Sequence, residues 1–167
     1  MTLTDEQIAA AALAALPGIT PKRLRCLLEA FGSAGAAAHA VGTGDIRAVL
    51  HRDPERVERT VADWRSALDL DATRAVLEAR RAQVWVERGW GFPIHDGIPD
   101  RPAVLLSEGH GVDAFAAPRV GIVGTRSASP QGIADAHELG AFLAAAGVTV
   151  VSGLALGIDG AAHEGAL

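Results

Sequence analysis

Along the first half of the chain, apolar positions recur at helical spacing. In DEQIAAAALAAL two acidic residues lead an apolar run, and Pro17-Gly18 ends it, which predicts a helix. TPKRLRCLLEAFG starts a second one, with Thr20 as N-cap, Pro21 at the first helical position and Gly32 as terminator. Leu24, Leu27, Leu28 and Phe31 form its apolar stripe. SAGAAAHAV, DIRAVLH and PERVERTVADWRSAL predict further short helices.

From Asp69 the pattern changes. DLDATRAVLEARRA predicts an amphipathic helix, and QVWVERGWGFP an alternating strand that runs into a turn. A Pro-bounded segment then holds a short apolar strand at Ala103 to Leu106, and HGVDAFAAP is a connector. RVGIVGT is a continuous apolar strand and RSAS a loop. PQGIADAHELGAFLAAAG is a helix capped by Ser129, opened by Pro130 and stopped by Gly147, and VTVVS is a second strand. Strand, helix and strand in succession predict a βαβ unit with parallel strands and a right-handed crossover. Both strands are apolar on both faces, which predicts a sheet covered by helices. The expected fold class is α/β: an all-helical domain over 1–68, then the start of a doubly wound parallel sheet over 69–167, with its βαβ core at 119–152.

Composition narrows the function classes. Hydrophobic residues make up 49% and charged residues 21% of 167, enough to bury a core. Aromatics are 4% with no tyrosine, which argues against a broad stacking platform for bases. Trp85 and Trp90 are expected to pack. The single cysteine, Cys26, excludes an internal disulfide and a multi-cysteine metal site, and is expected to be a small buried hydrophobe. His95 and His110 lack partners at metal-ligand spacing, so neither metal nor cofactor is expected. The start of the chain is polar and acidic, and no apolar run approaches the roughly 20 residues of a membrane span. Cytoplasmic location without membrane contact is the expectation. The net charge is −5, with residues 1–68 neutral and 69–167 carrying the whole excess. An anionic partner would therefore have to be held locally, by loop amides and a few arginines.

Two loops offer that local chemistry. Parallel strands gather their carboxyl-end loops at one edge, where ligands bind. Here those loops are GTRSASPQG and SGLALGID, each leading into a helix N-terminus with free amide donors. Gly124, Thr125, Ser127, Ser129, Gly132, Ser152, Gly153 and Gly157 are small enough for close approach of a phosphate to backbone. Arg126 adds a forked positive charge. The dinucleotide G-x-G-x-x-G spacing and the Walker G-K-[ST] are both missing. Tight strand–helix packing without a ligand is the competing explanation of the glycines.

Asp159 and His163 stand one helical turn apart and, with Ser152, suggest a Ser–Asp–His triad. That reading fails, because Ser152 lies outside a G-x-S-x-G elbow and acid and base share one helix. Asp159 is expected to meet first-turn amides and His163 to pack or hydrogen-bond beneath the loop, both bracing it; His137 is expected on a helix face. Separately, LPGITPKRL resembles a helix–hairpin–helix, in which Lys22, Arg23 and Arg25 would supply a secondary DNA contact. A bundle corner with a solvated basic face accounts for the same residues.

VGIVGTRSASPQG followed by AAAGVTVVSGLALGIDGAAHEGAL resembles the DNA-processing protein A (DprA/Smf) family. WGFPIHDGIPDRPAVLL is similar to the segment before that family's Rossmann-like core, and LPGITPKRLRCLLEAFGS resembles its sterile-alpha-motif-like domain. The resemblance implies a recombination mediator and not an enzyme. Such a protein binds and protects incoming single-stranded DNA in natural transformation, loads a RecA-type recombinase, and forms a homodimer at full length. Carried over by position, it implies phosphate contacts at Gly124, Thr125, Arg126, Ser129, Ser152, Gly153, Leu154, Ala155 and Gly157. Ser127 and Leu156 stand where the family often has basic residues, which implies weaker binding with a flatter salt dependence. Family members continue with further strands. The chain is accordingly expected to be a fragment cut within its sheet, weakly stable and a poor binder alone. The alternative is a nucleoside monophosphate phosphoribohydrolase of the lysine-decarboxylase-like type, whose P-G-G-x-G-T loop does not occur here.

Overall fold

The computed structural model describes residues 2–47, 49–50, 54–87, 92–94, 97–98, 101–109 and 118–167. Trp90, His95 and His110 lie outside the described residues. The chain divides into two compact units, Met1–Gly109 and His110–Leu167.

The first unit begins with α1 (Asp5–Ala14). Thr4 caps it: its hydroxyl accepts from the Gln7 amide at 3.2 Å, and the Gln7 side chain accepts from the Thr4 amide at 2.9 Å. This reciprocal capping box satisfies two amides that a helix start leaves orphaned. The Gln7 side chain also donates to the Val84 carbonyl at 2.9 Å, tying the cap to a strand. Ile8 to Leu13 are all buried, so α1 is covered all round. Its alanines let neighbours approach from every side, and α1 packs against α2 (Pro21–Phe31), α3 (Ala34–Thr43) and α5 (Leu70–Ala79).

α2 starts and stops where its residues dictate. The Thr20 hydroxyl accepts from the Arg23 amide at 3.2 Å, Pro21 opens the helix, and Gly32 ends it at φ 78°. Leu24 and Leu27 enter the core with Leu13, Val41 and Ile46. α4 (Pro54–Ala67) closes that core with Trp64, which is 1% exposed and donates its indole N–H to the Pro17 carbonyl at 2.8 Å. β1 (Gln83–Val86) and β2 (Val104–Ser107) form an antiparallel pair in register Gln83 with Ser107. The Trp85 indole donates to the Ser107 hydroxyl at 3.0 Å.

Several expectations change here. In DIRAVLH the described residues form successive turns and not a helix, with i→i+3 bonds from Val49 to Ile46 and Leu50 to Arg47. Cys26 is exposed instead of buried, because it lies off the Leu24–Leu27 stripe. α5, β1 and β2 all pack on α1, and the contact division comes after Gly109. Among the described residues no helix is long and apolar enough to cross a membrane.

The second unit holds β3 (Arg119–Gly121), α6 (Pro130–Ala145), β4 (Thr149–Val151) and α7 (Ile158–Ala166). β3 and β4 are parallel, with Val120 beside Val150, as a βαβ unit requires. Ser129 caps α6, accepting from the Gly132 amide at 3.1 Å, and Gly147 follows it at φ 74°. α6 and α7 lie backbone against backbone: a Cβ on Gly140 would collide with the Ala162 carbonyl, and one on Gly165 with the His137 carbonyl. Ile122 and Val150 pack with Ala162, Leu143 and Ile158 on one side of the sheet. The expectation of helices on both faces is not met. Val123 and Val151, which alternate away from Ile122 and Val150, are 79% and 50% exposed.

Candidate functional site

The loops after β3 and β4 meet at the carboxyl edge of the parallel pair, and Asp159 joins them. Its carboxylate accepts the Gly124 amide of the first loop at 3.0 Å and the Gly153 amide of the second at 3.1 Å. The Gly124 amide first, with the Gly153 amide and His163 nearby, holds this carboxyl below its usual range against the opposing effect of burial. Asp159 itself is 7% exposed. Asp159 therefore reaches across both loops, where first-turn amides of its own helix were expected to receive it. The His163 ring lies 3.4 Å from the Ser152 carbonyl, beneath the second loop.

The remaining contacts dispose of the triad. The Ser152 hydroxyl donates to the Ile122 carbonyl at 2.6 Å, and the His163 ring faces the Ser152 carbonyl, not its hydroxyl. A serine whose proton is spent on a backbone carbonyl, with no ring nitrogen to take it, is not an activated nucleophile.

Glycines at this edge serve loop packing. A Cβ on Gly124 would lie 2.6 Å from the Ile158 side chain, and one on Gly157 would strike the Thr125 carbonyl. Gly157 has φ 90°, and the Ile158 amide donates to the Thr125 carbonyl at 3.3 Å. The amides of Gly124 and Gly153 are thus committed within the protein, so these two residues hold the loops together. Sequence reasoning placed both among the phosphate contacts because it could not see that a carboxylate from α7 takes their donors.

What faces outward is a mixed surface. Thr125, Arg126, Ser127 and Ser129 are exposed on the first loop. On the second, Leu154 and Leu156 are 73% and 83% exposed, while Ala155 is half-buried. Leu154 has φ 53°, a conformation that glycine adopts more readily. The Thr125 hydroxyl accepts the Ser127 amide at 3.2 Å, which tightens the turn that presents Arg126.

The basic residues of the first unit divide. Arg25 donates to Glu87 at 3.1 Å and to the Arg101 carbonyl at 2.6 Å, and Arg101 holds the other Glu87 oxygen at 2.8 Å. Burial works to raise the Glu87 carboxyl, but hydrogen bonds from Arg101 and Arg25 outweigh it and hold it below its usual range. Arg25 is therefore a structural cation, not a free one as the hairpin reading required. Arg23 donates to the Gly18 carbonyl at 3.2 Å, and Lys22 is exposed. Among the described residues no group of acids, histidines and cysteine is placed to hold a metal.

A parallel βαβ unit with its loops gathered at the carboxyl edge makes this an α/β protein. Comparison with known proteins shows what the chain resembles. Residues 87–167 match the model of DNA recombination-mediator protein A. A stretch of 67 residues is 48% identical to the protein named DNA processing protein DprA in Mycobacterium tuberculosis, strains CDC 1551 and H37Rv, covering 40% of this chain and 17% of that protein. The fold matches DNA processing protein A (DprA) from Streptococcus pneumoniae with a TM-score of 0.59 at 25% identity, over 99% of this chain and 54% of that one. Over residues 87–167 the chain is thus similar to the DNA-processing protein A family. It spans about half the length of the solved relative.

Proposed function

We propose that this chain carries the single-stranded-DNA-binding part of a cytoplasmic recombination mediator. The whole protein would protect incoming DNA during natural transformation, load a RecA-type recombinase onto it and act as a homodimer, without catalysing a reaction. The observation that carries the reading is the exposed edge of the second unit. It aligns Thr125, Arg126 and Ser129 beside the turn Leu154–Gly157, in a region that matches the recombination-mediator family.

The hydrogen bonds between the loops support a division of labour. Arg126 supplies charge, and Thr125 and Ser129 supply hydroxyls to a phosphate. Backbone at Leu154, Ala155 and Gly157 lines the other side. Gly124, Gly153, Ser152, Asp159 and His163 set the distance between the loops. With Ser127 and Leu156 both uncharged, Arg126 carries an unusual share of the electrostatics. Domain limits at 1–68 and 69–167 are retained as a proposal for how the longer protein is organised.

The test is a mobility shift of a single-stranded oligonucleotide of about 20 bases at two salt concentrations. Wild type should retard the strand at low salt and lose affinity as salt rises. Arg126→Ala should bind several-fold more weakly with a shallower salt slope. Equal binding by the two proteins at low salt would remove the loops from the interface.

A further inference from the structure

The helical unit carries a cleft of its own. It lies between α2 and α4 and holds about 320 Å³, with Lys22, Arg23 and Arg56 at its rim, Leu27 and Trp64 in its floor, and no acid among the described residues that line it. Lys22, Arg23 and Arg56, like Arg59, Arg65 and Arg81 elsewhere in the unit, join no ion pair among the described residues, whereas Arg25, Arg47, Arg74, Arg80 and Arg101 each pair with a carboxylate. Three like charges around one concavity repel one another, and an anion placed there relieves the repulsion.

The floor is of another character. Leu27 and Trp64 are buried, Val57 and Leu50 are half-buried, and together they give an apolar bed beneath a polar rim. The rim stands at the start of α2, where the Thr20 hydroxyl caps the helix by accepting from the Arg23 amide, and the positive end of that helix favours negative charge. A cleft near the lower end of the small-ligand range has room for one ring and one phosphate, not for a dinucleotide. We infer that this cleft binds a nucleotide, its phosphate held by Lys22, Arg23 and Arg56 and its base laid on the apolar floor. The nucleotide is either free or one unit of a single strand. The inference does not depend on the reading of the βαβ loops.

Cys26 makes the test direct, because it lines the cleft, is exposed, and is the only cysteine of the chain. The rate at which a maleimide alkylates Cys26 in the full chain is measured with dAMP, with a short oligo-dT strand, and with inorganic phosphate. Slowing by dAMP and by the strand is the expected result; slowing by the strand alone identifies a nucleic-acid subsite, and by dAMP alone a free-nucleotide site. Slowing by inorganic phosphate to the same extent as by dAMP would overturn the nucleotide assignment. No slowing by either nucleotide probe at millimolar concentration would overturn the site. The double variant Lys22→Ala with Arg56→Ala alters two exposed positions and should keep the wild-type circular dichroism. It should need at least about tenfold more ligand for the same protection, the loss of two charge-assisted contacts. Unchanged protection in that variant sinks the proposal.

Discussion

The two units solve the same problem, covering apolar surface, to different extents. In the first, α1 is buried from Ile8 to Leu13, and Leu24, Leu27, Val41, Ile46 and Trp64 close around it. In the second, Ile122, Val150 and Ala162 make a small core, while Val123, Val151, Phe142, Leu154 and Leu156 stand exposed. The first unit is held by side-chain volume. The second is held by close backbone approach between α6 and α7 and by one carboxylate spanning two loops. Bulk stabilises by transfer from water and packing, whereas close approach depends on the absence of a side chain. The two should therefore fail under opposite kinds of substitution.

Trp64→Ala should have the largest effect. It empties the centre of the helical unit and orphans the Pro17 carbonyl, with an expected cost of about 3–5 kcal/mol. Urea unfolding followed by hydrogen exchange should show the loss in α1 to α4 with the amides of α6 and α7 unchanged. Equal loss in both units would mean that they unfold as one. Next is Gly140→Ala, which adds volume instead of removing it. Its Cβ meets the Ala162 carbonyl, and forcing the helices apart should cost about 1–3 kcal/mol, confined to the second unit. A neutral result would show that α6 and α7 approach less closely than described.

Thr20→Ala removes only a cap. The Arg23 amide loses its acceptor, and the helical unit should lose about 1 kcal/mol, read as a lower urea midpoint. The smallest effect is local and depends on pH. The Asp159 carboxyl is held below its usual range, so its bond to the loops is present above the ordinary carboxylate pKa of about 4 and is lost as pH falls through the lowered value. Exchange at the Gly124 and Gly153 amides should quicken at the acid end of that window. Asp159→Asn should raise their exchange at neutral pH and flatten the pH dependence. Protection that is unchanged in Asp159→Asn would deny the carboxylate its place between the loops.

Much of the fold was legible because its signals are local. Thr20 with Pro21, Ser129 with Pro130, and the glycines at 32 and 147 mark helix ends by chemistry confined to a few residues. The parallel pairing followed from strand, helix and strand in succession. Where DIRAVLH was expected to be a helix, the apolar spacing was short, and no cap enforced it. Cys26 was expected in the core from its neighbours' character, but the helix turns it outward beside Leu27. The candidate edge was legible as two loops, and the contents of those loops were not.

By itself, the sequence determined which segments are helix and strand, where most of them end, and that two small-residue loops share one edge. Those properties rest on backbone propensity, capping and periodicity, each set within one turn or one strand. Only the tertiary structure decided that Asp159 consumes the Gly124 and Gly153 amides, and that Arg25 is bound to Glu87. It also brought Lys22, Arg23 and Arg56 around one cleft, with no carboxylate among the described residues that line it. Which donor meets which acceptor depends on distances between residues far apart in the chain, and those exist only once the elements have packed.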